Sequence, residues 1–590
     1  MGSRVISGAV RHVTTATVRA RRAAVLMLLA LAPGCRRGPA PTELRPVRHF
    51  VGEAAKQGDD PSMAAVPTAM YGGVRRPVIA GTYLTEPFTV PAGGRLRFGI
   101  GIDQQKMTAE SPGRFVVAIS TPNRETIVFD EHVVPPERME ERHWADHEIA
   151  LDAYANRQIR LRFESVAEDD ANGKISSVPV WTDPTLYAPV PTDPRRKNVV
   201  LVSLDTLGAA HLGCYGYRRP TSPTIDAEVA GRGTLFEHAY TAFPQTSEAH
   251  MTMLTALYPC THGGSLERAL RPDAHTLAEL LRAAGYETAA YTEDANVTAG
   301  IGFARGFGTF VEDQSLQFLN RKGVGDQTLH SALEWIRSHP HGPWFVFVHT
   351  YQVHHPYRSP TGYVEEVAWD AGTDRGAVDG AHYDAAIRYT DDLLARFLAD
   401  LGSLGVRDDM ILVLTGDHGE HLGEGGLFRH GNSLTDILLH VPLLIRAPGL
   451  VPAGKRIATP VGLVDIVPTV LDLVALPPPP WMQGTSLVPL LSGKTIASRE
   501  LYAGPLGHDV MVRTSDVKWI IDQTTGRGRA SAADGDGPAG DGAGGSLPAD
   551  VALAHYRAMC EAQPAPPATP TGAGADPKLR EKLRALGYTN

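Results

Sequence analysis

Two different patterns of hydrophobic and polar residues succeed one another along this 590-residue chain. Over residues 77–190, apolar residues alternate with small or polar ones, most clearly at Leu96, Phe98, Ile100 and Ile102. A period of two with turn residues between the runs is typical of antiparallel strands that bury one face. The pattern therefore predicts an antiparallel β-sandwich as an accessory domain over residues 77–190.

The pattern changes at about residue 195, where strand-like apolar runs begin to alternate with helical ones. Runs at 199–204, 345–348 and 410–414 are separated by helical stretches such as 276–284 and 383–401. Strand–helix alternation is typical of a mostly parallel sheet with helices on both faces. We predict an α/β domain over residues 195–500, followed by a small C-terminal sheet over residues 501–525.

The two ends of the chain differ from these domains in composition. Residues 526–576 are rich in Gly, Ala and Pro and are predicted to be mostly disordered, with one possible helix, whereas residues 577–590 predict a C-terminal helix. Residues 1–34 combine a basic flank with a short apolar stretch, which is typical of a signal peptide and too short to span a bilayer. Residues 35–76 predict a tether.

The segment at residues 31–35 ends in Cys35 and resembles a bacterial lipoprotein box, in which the Cys is lipidated after cleavage. The resemblance implies an exported protein in the periplasm or on the cell surface, anchored to the membrane by lipid on Cys35. The alternative is a soluble secreted protein in which this Cys is incidental.

Charge and cysteine content narrow the classes of partner and of fold. The chain has 56 Lys and Arg against 65 Asp and Glu, a net charge of −9. A nucleic-acid-binding protein of this size would be basic, so we exclude nucleic acid as a partner. With only 4 Cys, the sequence also excludes a disulfide scaffold and a Cys-rich zinc module.

Polar residues follow three of the strand-like runs in the α/β domain. The residues directly after these runs include Asp205, His349, His354, Asp417 and His418. In open parallel sheets, ligands bind outside the carboxyl ends of the strands, so these side chains are expected to converge. Asp and His suit a borderline divalent cation such as zinc or manganese. The sequence therefore predicts a metal site at this edge of the sheet.

Thr246 begins a predicted helix and is a candidate nucleophile. A residue at a helix start lies beside free backbone N–H groups, where an anionic ester would also be held. A hydroxyl bound to a metal loses its proton more easily and becomes a better nucleophile. We therefore expect Thr246 to lie beside the metal.

Taken together, these segments resemble the sulfatases, within the wider alkaline-phosphatase superfamily. The resemblance covers roughly residues 198–522, and its motifs include Asp205-Thr206, the Thr246 segment, Tyr258-Pro259-Cys260-Thr261-His262-Gly263, His354, Asp417-His418-Gly419-Glu420 and His430. It implies an alkaline-phosphatase/sulfatase-type fold and one divalent metal ion held by Asp205, Thr246, Asp417 and His418. It also places His354 and His430 around the anionic group of the substrate, as donors to its oxygens or as the leaving-group acid.

The sequence departs from the sulfatase pattern around the nucleophile. Thr246 stands where sulfatases carry the Cys or Ser that becomes formylglycine, so that group cannot form here. His250 replaces an Arg and is a candidate catalytic residue, while Glu248 adds a negative charge near the nucleophile. Thr206 replaces a metal-binding Asp. Fewer carboxylates favour zinc or manganese, with calcium and magnesium as alternatives.

The predicted function is a metal-dependent hydrolase of sulfate or phosphate esters with Thr246 as its metal-bound nucleophile. Phosphoester chemistry is favoured, because a phosphothreonine can be hydrolysed directly whereas sulfatase turnover needs the second hydroxyl of hydrated formylglycine. The expected substrate is an anionic ester on a glycan, a lipid or a small molecule. The alternatives are a phosphoryl or phosphoethanolamine-type transferase, and a non-catalytic surface protein that binds glycan or acts as a scaffold.

The cysteines near the predicted site leave one structural question open. Cys214 and Cys260 are either joined by a disulfide, which an oxidising compartment would permit, or are two separate thiols. Cys560 has no evident role in the sequence.

Overall fold

The computed structural model describes residues 42–57, 68–71, 73–103, 111–136, 141–169, 175, 177–293, 296–312, 324–368, 372–532 and 547–562. Among the described residues, two compact units are distinguished, one within residues 44–189 and 193–562 and the other comprising residues 42–43 and 190–192. The predicted signal peptide with Cys35 and the predicted helix at 577–590 lie outside the described residues. None of the described helices is both long and apolar enough to cross a bilayer.

The N-terminal region consists of two antiparallel sheets that pack face to face. Its elements are β1 (Thr42–His49), α1 (Val51–Gln57), β2 (Thr68–Tyr71), β3 (Val74–Ala80), β4 (Thr82–Leu84), β5 (Phe88–Thr89), β6 (Arg95–Asp103), β7 (Gly113–Thr121), β8 (Arg124–Val133), β9 (Ala145–Ala150), β10 (Gln158–Ala167) and β11 (Val178–Pro191). One sheet has the order β4-β10-β7-β8, and the other contains β3-β11-β6-β9.

The core of this sandwich contains several aromatic rings that contact one another. The Trp181 ring of β11 meets Phe115 of the facing sheet at 5.2 Å and Phe163 at 5.5 Å between ring centroids. Phe50 and Val51, in the segment for which the sequence predicts a tether, are buried in the same core. Two isolated apolar residues in a polar segment show no period of two, so the pattern did not reveal that this segment belongs to the sandwich.

The α/β region that follows is built on a mixed, mostly parallel sheet. Its strands are β12 (Asn198–Leu204), β13 (Thr234–Tyr240), β14 (Glu287–Thr292), β15 (Thr309–Glu312), β16 (Trp344–Thr350), β17 (Met410–Gly416), β20 (His440–Arg446), β21 (Lys455–Ile457) and β22 (Val461–Gly462), while β18 (His421–Leu422) and β19 (Phe428–Arg429) form a separate antiparallel pair. The sheet has the order β21-β13-β20-β17-β12-β16-β14-β15, and β20 pairs antiparallel with both its neighbours.

Helices flank this sheet, whose two faces are covered by separate apolar clusters. They are α2 (Thr246–Thr255), α3 (Pro259–His262), α4 (Leu277–Ala283), α5 (Gly325–Ser338), α6 (Tyr363–Val367), α7 (Arg375–Ser403), α8 (Asp436–Leu439), α9 (Ile466–Leu473) and α10 (Val488–Leu491). Central strands such as β12 are buried on both faces, which explains their continuous apolar sequence. The predicted α/β class is confirmed.

The sandwich and the α/β sheet share strand β3. Its first residues pair with β15, where Arg75 faces Phe310, and its last residues pair with β11, where Ile79 faces Trp181. As a result, the parallel sheet and one sheet of the sandwich form a single hydrogen-bonded sheet of 15 strands.

A separate antiparallel sheet of four strands closes the described part of the chain. It comprises β23 (Leu501–Leu506), β24 (Asp509–Arg513), β25 (Val517–Asp522) and β26 (Gly528–Ala532), and α11 (Ala549–Glu561) packs on it. Strand β26 and helix α11 both fall in the stretch that composition predicts to be mostly disordered.

One disulfide joins this C-terminal helix to the α/β region. Cys260 of α3 is bonded to Cys560 of α11, and Cys214 is a free thiol. The Cys214–Cys260 bridge considered from the sequence is therefore wrong. The true pair is separated by 300 residues, and spacing along the chain carries no information on such a pairing.

Candidate active site

Two neighbouring parallel strands place the predicted metal ligands side by side. Leu204 of β12 is in register with Gly416 of β17, so Asp205 and Asp417, which follow these residues, leave the sheet at the same edge. Asp205, Asp417 and His418 each offer a ligand atom, and these atoms lie within 4.8 Å of one another. All three side chains are completely buried. The predicted convergence is thus observed.

The hydrogen bonds of the two carboxylates leave one oxygen of each without a partner. Asp417 Oδ1 accepts hydrogen bonds from the backbone N–H of Thr206 at 3.0 Å and of His418 at 2.8 Å. Within the described residues, Asp417 Oδ2 and Asp205 Oδ1 are buried without a hydrogen-bond partner. Buried unpaired carboxylate oxygens are costly, and a divalent cation is the partner that removes this cost.

The electrostatics of the pair agree with a cation site. Burial and the charge of Asp417 raise the pKa of Asp205 well above its ordinary value, because two buried carboxylates repel each other. An imidazole and two carboxylates are ligands that suit zinc or manganese. The residues present therefore fit a divalent metal, which Asp205, Asp417 and His418 would hold together with the Thr246 hydroxyl.

The Thr246 hydroxyl lies directly beside these ligands. Thr246 is the first residue of α2, and its Oγ1 is 3.3 Å from Asp205 Oδ2 and 3.4 Å from His418 Nε2. His418 Nδ1 is 2.9 Å from the carbonyl oxygen of Gly419, so the ring proton is on Nδ1 and Nε2 carries a lone pair. The hydroxyl thus has two acceptors for its proton.

His250 lies one helical turn after Thr246 and has both ring nitrogens engaged inside the protein. Its Nδ1 is 2.8 Å from the Thr246 carbonyl oxygen, and its Nε2 is 2.9 Å from Ser203 Oγ. Burial lowers the pKa of His250 to about 3, so the ring is neutral at pH 7. Its contacts fix the start of the helix that carries Thr246.

His349 is one of the strand-end residues predicted to converge, although that prediction assigns it no individual role. It is in register with Ser203 on neighbouring strands, and its Nε2 is 3.1 Å from Asp205 Oδ2. Its ring also meets that of His250 edge-on, with 4.6 Å between centroids. The position of His349 at the end of β16, next to the Asp205 strand, is the signal that could have predicted its contact with Asp205.

His354 and His430, predicted at the substrate's anionic group, form a pair beside the metal ligands. Their ring centroids are 5.1 Å apart, and the His430 centroid is 4.4 Å from that of His418. His354 Nδ1 is 2.7 Å from the carbonyl oxygen of His355. Burial lowers the pKa of His354 to about 3 and that of His430 to about 4, so both rings are neutral at pH 7.

Glu420 is the second residue that sequence reasoning did not single out. Its Oε1 is 3.2 Å from His430 Nδ1, and the carboxyl group is buried. With Nδ1 donating to this carboxylate, neutral His430 carries a lone pair on Nε2 and is a proton acceptor there. The predicted role as an oxyanion donor would therefore require a protonated ring.

The Glu248 carboxyl group has a different electrostatic environment from the metal ligands. Burial and the charge of Glu267 raise the pKa of Glu248 to about 7, and neither Asp205 nor Asp417 is among the causes. Burial is the larger of these two causes.

The α/β region is similar to a known protein family. Residues 197–476, just under half of the chain, match the family model described as Sulfatase. All the site residues described above lie inside the matched segment, whereas the sandwich and the C-terminal sheet lie outside it.

The proteins similar to this chain include several arylsulfatases. Arylsulfatase K of Mus musculus is 26% identical over 375 residues, which cover 52% of this chain and 67% of the relative. Arylsulfatase K of Danio rerio is 40% identical over 120 residues, covering 20% and 23% of the two chains. The extracellular sulfatase SULF-1 homolog of Drosophila melanogaster is 37% identical over 114 residues, covering 19% and 10%. The matched family and these relatives support an enzyme that hydrolyses sulfate or phosphate esters.

Two solved structures share its fold at 18% sequence identity. Ps i-CgsB in complex with k-i-k-neocarrahexaose superposes with a TM-score of 0.53 and covers 66% of this chain and 97% of that chain. The phosphonate monoester hydrolase SpPMH from Silicibacter pomeroyi gives a TM-score of 0.50, covering 62% and 95%. Both likenesses concern the fold, and they confirm the predicted sulfatase-type architecture.

Proposed function

We propose that this chain is a metal-dependent hydrolase of anionic esters in which Thr246 is the nucleophile, with phosphate esters preferred over sulfate esters. The observation that carries the proposal is the position of Thr246 Oγ1, 3.3 Å from Asp205 Oδ2 and 3.4 Å from His418 Nε2. No other hydroxyl of the described residues is hydrogen-bonded to two of the three candidate metal ligands.

The first step is attack by Thr246 on the ester. When bound, a divalent cation lowers the pKa of a coordinated hydroxyl and polarises an oxygen of the substrate. Thr246 Oγ1 forms the new bond to phosphorus, its proton passes to a neighbouring acceptor, and the bond to the alcohol breaks. The alcohol takes its proton from solvent. The free N–H groups at the start of α2 are available to the charged oxygens of the substrate.

The second step releases the group from Thr246. Water attacks the phosphothreonine, and neutral His430 or His354 accepts a proton from this water at Nε2, because Nδ1 of each ring already donates to an oxygen. The bond to Oγ1 then breaks and Thr246 recovers its proton. Glu420 stabilises the positive charge that His430 carries during this step.

The side chain at position 246 supports phosphate as the preferred ester. Threonine has one hydroxyl group and lacks the second hydroxyl with which hydrated formylglycine expels sulfate. A phosphothreonine needs no such group, since water can attack phosphorus directly. We propose zinc or manganese as the metal, and a glycan, lipid or small-molecule ester as the substrate.

We further propose that the protein is exported and anchored to the membrane by lipid on Cys35. The Cys260–Cys560 disulfide supports export, because disulfides persist in oxidising compartments. A Cys35→Ser variant should then move from the membrane fraction to the soluble exported fraction. Retention of this variant in the membrane fraction would contradict lipid anchoring.

The decisive experiment combines a metal analysis with three substrates: nitrophenyl phosphate, bis(nitrophenyl) phosphate and nitrophenyl sulfate. The wild-type protein should contain one divalent ion and hydrolyse at least one phosphate ester faster than the sulfate. Thr246→Ala should abolish turnover while keeping weakened metal binding, and Thr246→Ser should retain part of the activity. Unchanged turnover in Thr246→Ala would remove Thr246 from the mechanism, and faster sulfate turnover would overturn the phosphate preference.

A further inference from the structure

A polar cavity lies between the sandwich and the α/β region, away from the site described above. Its volume is about 310 Å³, and none of the candidate metal ligands or site histidines lines it. One wall is the outer face of the sandwich sheet, with Arg97 and Glu148. The other wall comes from α4, β14 and α5, with Arg282, Glu287 and Trp335. This volume is at the lower end of the range found for ligand pockets.

The charged groups that line the cavity are already paired. Arg97 Nε is 2.7 Å from Glu148 Oε2, and His339 Nε2 is 3.1 Å from Glu287 Oε2. Arg282 is likewise bonded to Asp183. An incoming anion would therefore meet a carboxylate beside Arg97, Arg282 and His339, so the cavity is a poor site for a free sulfate or phosphate.

Paired charges of this kind are well suited to hydroxyl groups. A carboxylate accepts a hydrogen bond from a hydroxyl group while the neighbouring guanidinium donates one to the next oxygen, so each ion pair can bind two adjacent hydroxyls. Four buried atoms of lining residues have no hydrogen-bond partner among the described residues: His49 Nε2, Arg76 Nε, His147 Nε2 and Thr182 Oγ1. Buried polar atoms without partners call for a bound molecule or for water.

Aromatic rings complete the lining. Arg97 lies over the Tyr187 ring, with its Cζ atom 4.5 Å from the ring centroid, and the Trp335 ring stacks on His339 at 3.9 Å. Aromatic rings next to hydrogen-bonding groups can together bind a molecule that has one apolar and one polar face. A pyranose ring has both faces.

We propose that this cavity binds a neutral saccharide unit. The site would hold a glycan without cleaving it, because it contains none of the groups assigned to ester hydrolysis. The proposal is independent of the proposed function, since a neutral sugar carries no ester for Thr246 to attack.

The test measures binding of neutral disaccharides to the full-length chain. The Thr246→Ala variant serves as the parent, and cellobiose, lactose and N,N′-diacetylchitobiose are titrated by calorimetry, with inorganic sulfate as the charged comparison. Arg97→Ala removes a cavity cation, and Arg95→Ala is its matched control. Arg95 is two residues away on the same strand and does not line the cavity; it pairs with Asp152 at 2.6 Å and reaches Glu148 only at 3.7 Å, compared with 2.7 Å for Arg97.

At least one of the disaccharides should bind, and Arg97→Ala should weaken that binding roughly tenfold, the effect of losing about 1.4 kcal/mol. Arg95→Ala should bind as the parent does. Trp335→Leu, which leaves all the ion pairs intact, should also weaken binding and guards against a folding defect in Arg97→Ala. Failure of all three sugars to bind, equal binding by Arg97→Ala and Arg95→Ala, or competition by sulfate would each overturn the proposal.

Discussion

The imidazole Nε2 of His349 lies 3.1 Å from Asp205 Oδ2, and both side chains are completely buried. Because a carboxylate only accepts hydrogen bonds, the proton of neutral His349 is on Nε2. This bond restricts the rotation of Asp205 and leaves Oδ1 of the same carboxylate for a cation. His349 is therefore a positioning residue for a predicted metal ligand.

Replacing His349 should weaken metal binding. The His349→Ala variant loses the hydrogen bond that orients Asp205, and such outer partners of ligands are typically worth roughly 10–100-fold in metal affinity. The measurement is the zinc dissociation constant, from competition with a chelating dye. The control is His262→Ala, another completely buried histidine, which pairs with Thr252 away from the cluster. Equal zinc affinity in the two variants would refute a positioning role for His349.

Glu420→Gln should lower kcat more than it changes KM. The amide keeps the size of the side chain but no longer stabilises positive charge on His430, whose Nδ1 is 3.2 Å from Glu420 Oε1. We expect a loss of about tenfold or more in kcat, within the range for a group that assists proton transfer. Steady-state kinetics with nitrophenyl phosphate provide the measurement. Glu424→Gln, four residues further on and bonded to the backbone N–H of Leu422, is the control and should leave kcat unchanged.

Glu248 should make the stability of the fold depend on pH. Burial and Glu267 raise the pKa of Glu248 from 4.5 to about 7, so the folded state holds this proton more tightly than the unfolded chain does. The stabilising contribution is therefore complete below the unfolded pKa and is lost as the pH rises to the folded pKa and above. Glu248→Gln cannot ionise. The melting temperature of the wild type, relative to that of this variant, should therefore fall as the pH rises from about 5 to about 8.

Thermal melts of the two proteins across this pH range test the predicted direction of the change in stability. A parallel Asp273→Asn variant, whose carboxyl pKa is lowered by Arg271, should show no loss of this kind. If the difference in melting temperature between wild type and Glu248→Gln stays constant across the range, Glu248 does not titrate as inferred.

Loss of the disulfide should destabilise the C-terminal helix. The bond closes a loop of 300 residues, and Cys560→Ser should cost roughly 2–5 kcal/mol of unfolding free energy, the usual effect of removing a native disulfide. Chemical denaturation in the absence of reductant measures it. Cys214→Ser removes the free thiol and should have no comparable effect. Equal stability of the two variants would show that the Cys260–Cys560 bond does not stabilise the fold.

The sequence predicted the main groups of the site because topology dictates their convergence. Asp205 and Asp417 follow continuous apolar runs, and such runs become neighbouring parallel strands whose ends share one edge. Thr246 was recognised as a helix start with a hydroxyl. The individual roles of His349 and Glu420 could not be predicted, because they depend on distances of 3.1 Å and 3.2 Å to single atoms. Periodicity carries no information on such distances.

The fold was predictable to a similar depth. Alternation with a period of two revealed the sandwich, and alternation of strands and helices revealed the α/β region. The Cys260–Cys560 pair was not accessible, because contacts between distant segments leave no local pattern. The same reason hid the pairing of β3 with β15.

That shared strand has a consequence for how the protein can be divided. Because β3 supplies the hydrogen-bonding partner of β15, excising the sandwich would leave β15 with an open row of backbone donors and acceptors. An exposed edge of this kind recruits other chains and favours aggregation. The sandwich therefore covers this edge of the α/β sheet. A shortened chain made for expression should start before residue 74, so that it still contains β3.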